Sequence, residues 1–166
     1  MASKTASTTE EWNEVLGSVF MASFAVTAAD PSGLWGLLKE TFASGRALME
    51  AKSSANASEL SRAIVSDMET SEGRSAAQDY VKERLKGAKR DEIKQRAIDA
   101  LRSAAAVVDQ KASSDAAVYK AWLLQIANSI AEASKEDGFL GFGGVDVSDV
   151  EKATLLEIAA AVATRD

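Results

Sequence analysis

VLGSVFMASFAVTAA, residues 15–29, is the stretch that decides the fold. It carries no charge, and small or apolar side chains cover every side when it is wound as a helix. A helix apolar all round is either a buried central element or a membrane span. Roughly fifteen apolar-leaning residues, including Ser18, Ser23 and Thr27, fall short of the ~20 that a bilayer needs, so the stretch reads as the central helix of a core. Upstream, Thr8 and Glu11 have the spacing of a capping box that starts this helix near Glu10. Glu10, Glu11 and Glu14 stand where the apolar core of a secretory peptide should be, so none is expected and the location reads as cytoplasmic.

Outward from this helix the chain continues in amphipathic segments. After Asp30-Pro31-Ser32, an N-cap and first-turn signal, Leu34, Leu38 and Phe42 recur every four residues. A third helix carries Leu60, Ile64, Val65 and Met68. A fourth, Ser75 to Leu85, carries Tyr80, Val81 and Leu85. Gly87 separates it from a fifth, Asp91 to about Gln110, with the stripe Ile93, Ala97, Leu101, Ala104 and Val108. The sixth, Asp115 to Lys135, places Val118, Trp122, Ile126 and Ile130 at intervals of four, and the seventh, from Ser148, carries Leu155, Ile158, Ala159 and Val162. One proline and 10 glycines in 166 residues, with no sustained two-residue alternation, leave no room for a sheet. The expectation is an all-α, single-domain bundle of about seven helices spanning residues 1–166, with residues 1–8 disordered.

A phrase is also written twice, 105 residues apart: ASFAVTAADPSGLWGL at 22–37 and ANSIAEASKEDGFLGF at 127–142. Ala22/Ala127, Ala28/Ala133, Gly33/Gly138 and Gly36/Gly141 coincide, which predicts an internal two-fold repeat of a helix-turn-helix unit. The apolar residues of the two turns, Leu34, Trp35 and Leu37 in one and Phe139, Leu140 and Phe142 in the other, either seal the end of the bundle or form a groove.

Composition excludes whole classes of chemistry. With no histidine and no cysteine, zinc sites, thiol nucleophiles, disulfides and His-dependent triads are ruled out. A metal would have to be a hard cation held by oxygen. An enzyme would have to work through Asp/Glu or metal chemistry, and no carboxylate pair has the spacing for acid/base work, so the chain reads as non-enzymatic. The net charge of −6 is uneven: residues 1–73 carry 5 basic and 10 acidic side chains, residues 74–120 carry 11 and 7, and residues 121–166 carry 3 and 8. The basic middle, VKERLKGAKRDEIKQR at 81–96, interleaves Glu83, Asp91 and Glu92 with its cations and has no aromatic stacking platform. It reads as a solvated helix face, with no nucleic-acid partner expected.

The densest candidate site is EDGFLGFGGVDVSDVEK, residues 136–152. Its glycines invite a phosphate-cradle reading, but no strand precedes them, no Lys-Ser/Thr pair follows, and the acids would repel an anion. Those acids, Asp137, Asp146, Asp149 and Glu151, suit a hard cation if they converge. The competing account is structural: Ser148 caps the last helix, Glu151 completes the capping box, and Asp149 sits in the first turn, where the helix dipole favours negative charge.

The second copy, IANSIAEASKEDG followed by VSDVEKATLLEIAAAVA, resembles the tellurite-resistance TerB-like family over residues 126–163. That family's unit is an alanine-rich helix, an Asp-Gly, a short acidic stretch, then Glu-Lys and an apolar helix. Asp137 and Gly138 match the Asp-Gly, Glu151 and Lys152 match the Glu-Lys, and Asp149 lies within the acidic stretch. The resemblance implies a cytoplasmic helical stress-response domain with a divalent cation, Ca²⁺ or Mg²⁺, at Asp137, Asp149 and Glu151, assisted by Asp146. In the first copy Pro31-Ser32-Gly33 replaces the Asp-Gly, so any such site belongs to the second copy alone. The alternative expectation is a structural or protein-interaction module without metal, a homodimer or a partner-binding domain, using the apolar turns or an exposed helix stripe.

Overall fold

The computed structural model describes residues 2–29, 58–136 and 147–163. These residues form seven helices and no strand: α1, Ala2–Ala6; α2, Thr9–Ala29; α3, Glu59–Met68; α4, Ser71–Leu85; α5, Arg90–Lys111; α6, Ala116–Glu136; and α7, Asp149–Ala163. The all-α bundle read from the sequence is therefore the observed architecture. The helix expected over Leu34, Leu38 and Phe42 lies outside the described residues. In the stretch expected to be disordered stands α1, tied down by Lys4, whose Nζ donates to both carboxylate oxygens of Asp67 on α3 at 2.7 and 2.6 Å.

The bundle is organised around α2. Every residue from Val15 to Val26 is buried, and α2 packs against α4, α5, α6 and α7, most extensively against α5. Over residues 15–26 the helix is surrounded on all sides and can have no polar face, which is why that stretch of sequence carries no charge. Its start is the expected capping box: Thr8 N–H donates to Glu11 Oε2 at 2.7 Å and Glu11 N–H to Thr8 Oγ1 at 3.2 Å. That backbone bond is the main reason the Glu11 carboxyl lies below its ordinary value, with Lys111 of α5 adding to it. Trp12, the first core residue of α2, donates its indole N–H to Asp67 Oδ2 at 2.7 Å.

The outer helices bury one stripe each. On α5 all of Ile93, Ala97, Leu101, Ala104 and Val108 are buried, as their spacing predicts. On α6 the buried stripe is turned by one residue, running Tyr119, Trp122, Leu123, Ile126 and Ala127, while Val118 and Ile130 are only partly buried. Tyr119 is drawn in because its hydroxyl has a partner inside: it donates to Ser18 Oγ at 2.8 Å, and Ser18 donates to the Val15 carbonyl at 2.6 Å. Burial holds the Tyr119 phenol well above its ordinary value. α4 begins four residues before the Ser75 expected from sequence, because Thr70 caps it by accepting from Gly73 N–H at 3.0 Å. Gly73 is tolerated in that first turn because a Cβ there would collide with the Asp67 carbonyl. Arginines close the far ends of two helices: Arg74 donates to the carbonyls of Met68 and Glu69, and Arg96 to that of Lys86.

Of the two repeated phrases, the described parts are the C-terminal segments of α2 and α6, two helices that pack on each other, and the matched Ala22 and Ala127 are both fully buried. The turns, with Gly33/Gly138 and Gly36/Gly141, lie outside the described residues.

Candidate functional site

The acidic turn divides between what is described and what is not. Asp137 and Asp146 lie outside the described residues. Ser148, Asp149 and Glu151 form the start of α7. Glu151 is buried and its carboxylate is engaged in the capping box, accepting from Ser148 N–H and Ser148 Oγ, both at 2.9 Å, while Glu151 N–H donates to Ser148 Oγ at 3.2 Å. Asp149, by contrast, is fully exposed, with Lys152 Nζ 3.9 Å away. Asp149 and Glu151 therefore point to different surroundings, one into solvent and one back onto the helix start. Among the described residues no three acidic side chains converge into a cation site.

A second polar locus, unremarked in the sequence, opens between α2 and α4. It is a cleft of about 370 Å³ lined by Glu10, Asn13, Glu14, Asp79, Tyr80 and Arg84. Gly17 lets Tyr80 reach this position: the Tyr80 ring lies so close against α2 that a Cβ at residue 17 would overlap it. The Arg84 guanidinium sits 5.3 Å over the same ring and 3.6 Å from Glu14 Oε1. Neither the buried Glu14 Oε1 nor the buried Tyr80 hydroxyl makes a hydrogen bond. Burial, reinforced by the neighbouring Glu14, pushes the Tyr80 phenol up to about 12, so at neutral pH it is a neutral donor and cannot act as a base. The signal in sequence was the face Glu10, Asn13, Glu14 and Gly17, at helical spacing of three, four and seven on an otherwise apolar helix. Its partner is hidden in the sequence, because the spacing of Tyr80 with Val81 and Leu85 is that of a core stripe.

The basic segment is largely committed to ion pairs. Lys82 pairs with Asp79, Arg84 with Glu14, Lys86 with Glu83, Lys94 with Glu157 and Arg96 with Glu92, at 2.9 to 3.6 Å. Most are exposed pairs of adjacent turns, worth a few tenths of a kcal/mol each.

The third locus is the outer face of α7. Ile158, Ala161 and Val162 face the core, together with Thr154, whose hydroxyl turns back to the Val150 carbonyl at 2.8 Å. On the opposite side Ala153, Leu156, Ala160 and Ala163 are exposed, spaced three, four and three residues apart. Leu156 is 72% exposed and Val150 46%, and among the described residues these two are the large apolar side chains left in solvent. An ordinary surface helix carries Lys or Glu along its outermost ridge. Here Asp149 stands at the N-terminal end of the ridge, and beyond it the charged residues Lys152 and Glu157 sit on the two flanks, Glu157 held by Lys94 of α5 at 2.9 Å.

No helix among the described residues is long and apolar enough to cross a membrane. No protein-family model, curated protein or solved structure matches this chain, so the three loci are read from their own geometry.

Proposed function

We propose that this protein is a non-enzymatic helical interaction module whose contact surface is the outer face of α7. The observation that supports this reading is the contrast between two helices of similar character. α2 is apolar on every side and is enclosed on every side. α7, DVEKATLLEIAAAVA, also has apolar or small residues around most of its circumference, yet its outer ridge of Ala153, Leu156, Ala160 and Ala163 faces water. Apolar patches that break the usual surface composition mark binding faces, and alanines let a second backbone approach to 8–10 Å between axes. The divalent-cation reading from the TerB-like resemblance rests on sequence alone, since the described acids serve a cap and solvent.

Leu156→Glu tests the reading. If the ridge is a contact surface, the dilute variant keeps the parent melting midpoint to within about 0.5 kcal/mol, as exposed substitutions do. A fall of 2 kcal/mol or more would mean that Leu156 is covered within its own chain, and the contact role would be lost.

A further inference from the structure

We infer that the occupant of this ridge is a second copy of the same helix, aligned parallel and in register about a two-fold axis. The inference rests on the reading of α7 as the contact surface and adds its partner and geometry. Taken as a heptad, Ala153 and Ala160 fall at a positions, and Asp149, Leu156 and Ala163 at d positions. Lys152 is then a g position and Glu157 the following e position, five residues on. In a parallel two-stranded coil, g of one helix meets the following e of the other, so these flanks select partner and orientation. Lys152 of one copy would therefore lie beside the partner's Glu157, and by symmetry the pair forms twice. An antiparallel arrangement sets like flanks side by side, lysine against lysine and glutamate against glutamate. The charges at the flanks thus suit the parallel self-pairing through two Lys152–Glu157 contacts, set against one like-charge contact where Asp149 of each copy meets at the fully exposed N-terminal end of the ridge.

The flanking groups are exposed enough to make this contact. Lys152 is over half exposed and its intrahelical neighbour Asp149 is at the limit of ion-pair distance, 3.9 Å. Glu157 is 43% exposed, and Lys94 holds it from the opposite element, α5, at 2.9 Å. A carboxylate has two oxygens with several lone-pair sites and accepts from both lysines. The ridge itself supplies a leucine at the central d position between alanines, so Leu156 stacks on the partner's Leu156 while the alanines set the close approach. A helix of 15 residues is about 22 Å long, which gives an interface well below ~1,200 Å², the range of weak and transient pairs. The dimer is accordingly a concentration-dependent one.

The experiment uses the full chain in sedimentation equilibrium up to several hundred micromolar, with two charge variants, K152E and E157K. The parent is expected to shift from a single 17.5 kDa chain toward twice that mass. Each variant alone pairs roughly tenfold more weakly, and an equimolar mixture of the two recovers the parent's association, because the mixed pair restores both opposite-charge contacts. Circular dichroism verifies that E157K, which also loses Lys94, remains folded. Single cysteines A153C, L156C and A160C, clean probes in a chain that has none, provide the independent measurement: all three oxidise to disulfide dimers in a parallel register, and S75C on the exposed face of α4 does not. A parent that stays monomeric throughout, or cysteines that cross-link only near one point of the ridge as an antiparallel pair requires, overturns the inference. If the parent is monomeric while L156E keeps its midpoint, self-pairing alone falls and the contact surface stands for a foreign partner. If L156E melts early, the contact surface itself has failed.

Discussion

At the scale of single residues, Gly17 and Tyr80 carry the least obvious constraint. A glycine in the interior of a 21-residue helix costs up to ~1 kcal/mol against alanine, and the cost is met here because the Tyr80 ring occupies the space of its side chain. Gly17→Ala is expected to lose about 1–3 kcal/mol through overpacking. In a Tyr80→Ala background the same substitution should be neutral or favourable, a coupling that a double-mutant cycle of denaturation midpoints measures. Tyr80→Phe removes a buried hydroxyl with no hydrogen bond and is expected to leave stability at pH 7 unchanged or slightly raised. Its effect shows in alkali. The folded phenol is raised from 10 to about 12, so the folded state holds its proton longer than the unfolded chain, and the associated stability is intact below pH 10 and lost as pH rises toward 12. Melting midpoints of Tyr80→Phe across pH 9–12 should fall less steeply than those of the parent. The residue type of Gly17 was visible in the sequence, but its partner is 63 positions away and only packing identifies it.

At the scale of elements, capping was the most legible feature. The Thr8/Glu11 and Ser148/Glu151 spacings predict local hydrogen bonds, and both boxes are formed, because every group involved lies within one helical turn. Glu151→Ala should destabilise α7 and cost about 1 kcal/mol, or roughly 2–4 °C in midpoint for a chain of this size. The same measurement tests the cation reading of the acidic turn: a rise in the parent midpoint with millimolar Ca²⁺ that Asp149→Ala abolishes supports it, and an unmoved midpoint counts against it. Helix faces were legible where apolar spacing is regular, as on α5. On α6 the period gave the helix but misplaced its face by one residue, since Tyr119 is buried by a hydrogen bond to Ser18, which no periodicity encodes. On α7 the period identified the inward set, Ile158 and Val162, and left Leu156 unassigned.

At the scale of the whole molecule, Asp67 links three helices. It accepts from Lys4 of α1 and Trp12 of α2 while sitting on α3, and Lys4 also lies 5.8 Å over the Trp12 ring. Burial works against its ionisation, but the bonds from Lys4 and Trp12 outweigh it, and the carboxyl is held below its ordinary value. A depressed carboxyl stabilises the fold above its unfolded value near ~3.9, and this is lost as pH falls through the folded value. Asp67→Asn is expected to cost about 1–2 kcal/mol at neutral pH, less as the medium is acidified below pH 4, until parent and variant melt together. Alone, the sequence determined the class of fold and its centre, because an uncharged helix of this length must be enclosed, and it determined the caps, because their partners are adjacent in the chain. It also determined which chemistries are impossible, through the absence of histidine and cysteine. The cleft at Glu14 and Tyr80, the three-helix tie at Asp67 and the exposed apolar ridge of α7 were decided only by the tertiary structure. Each depends on which face of a helix its neighbours cover, and that is fixed by packing between residues far apart in the chain.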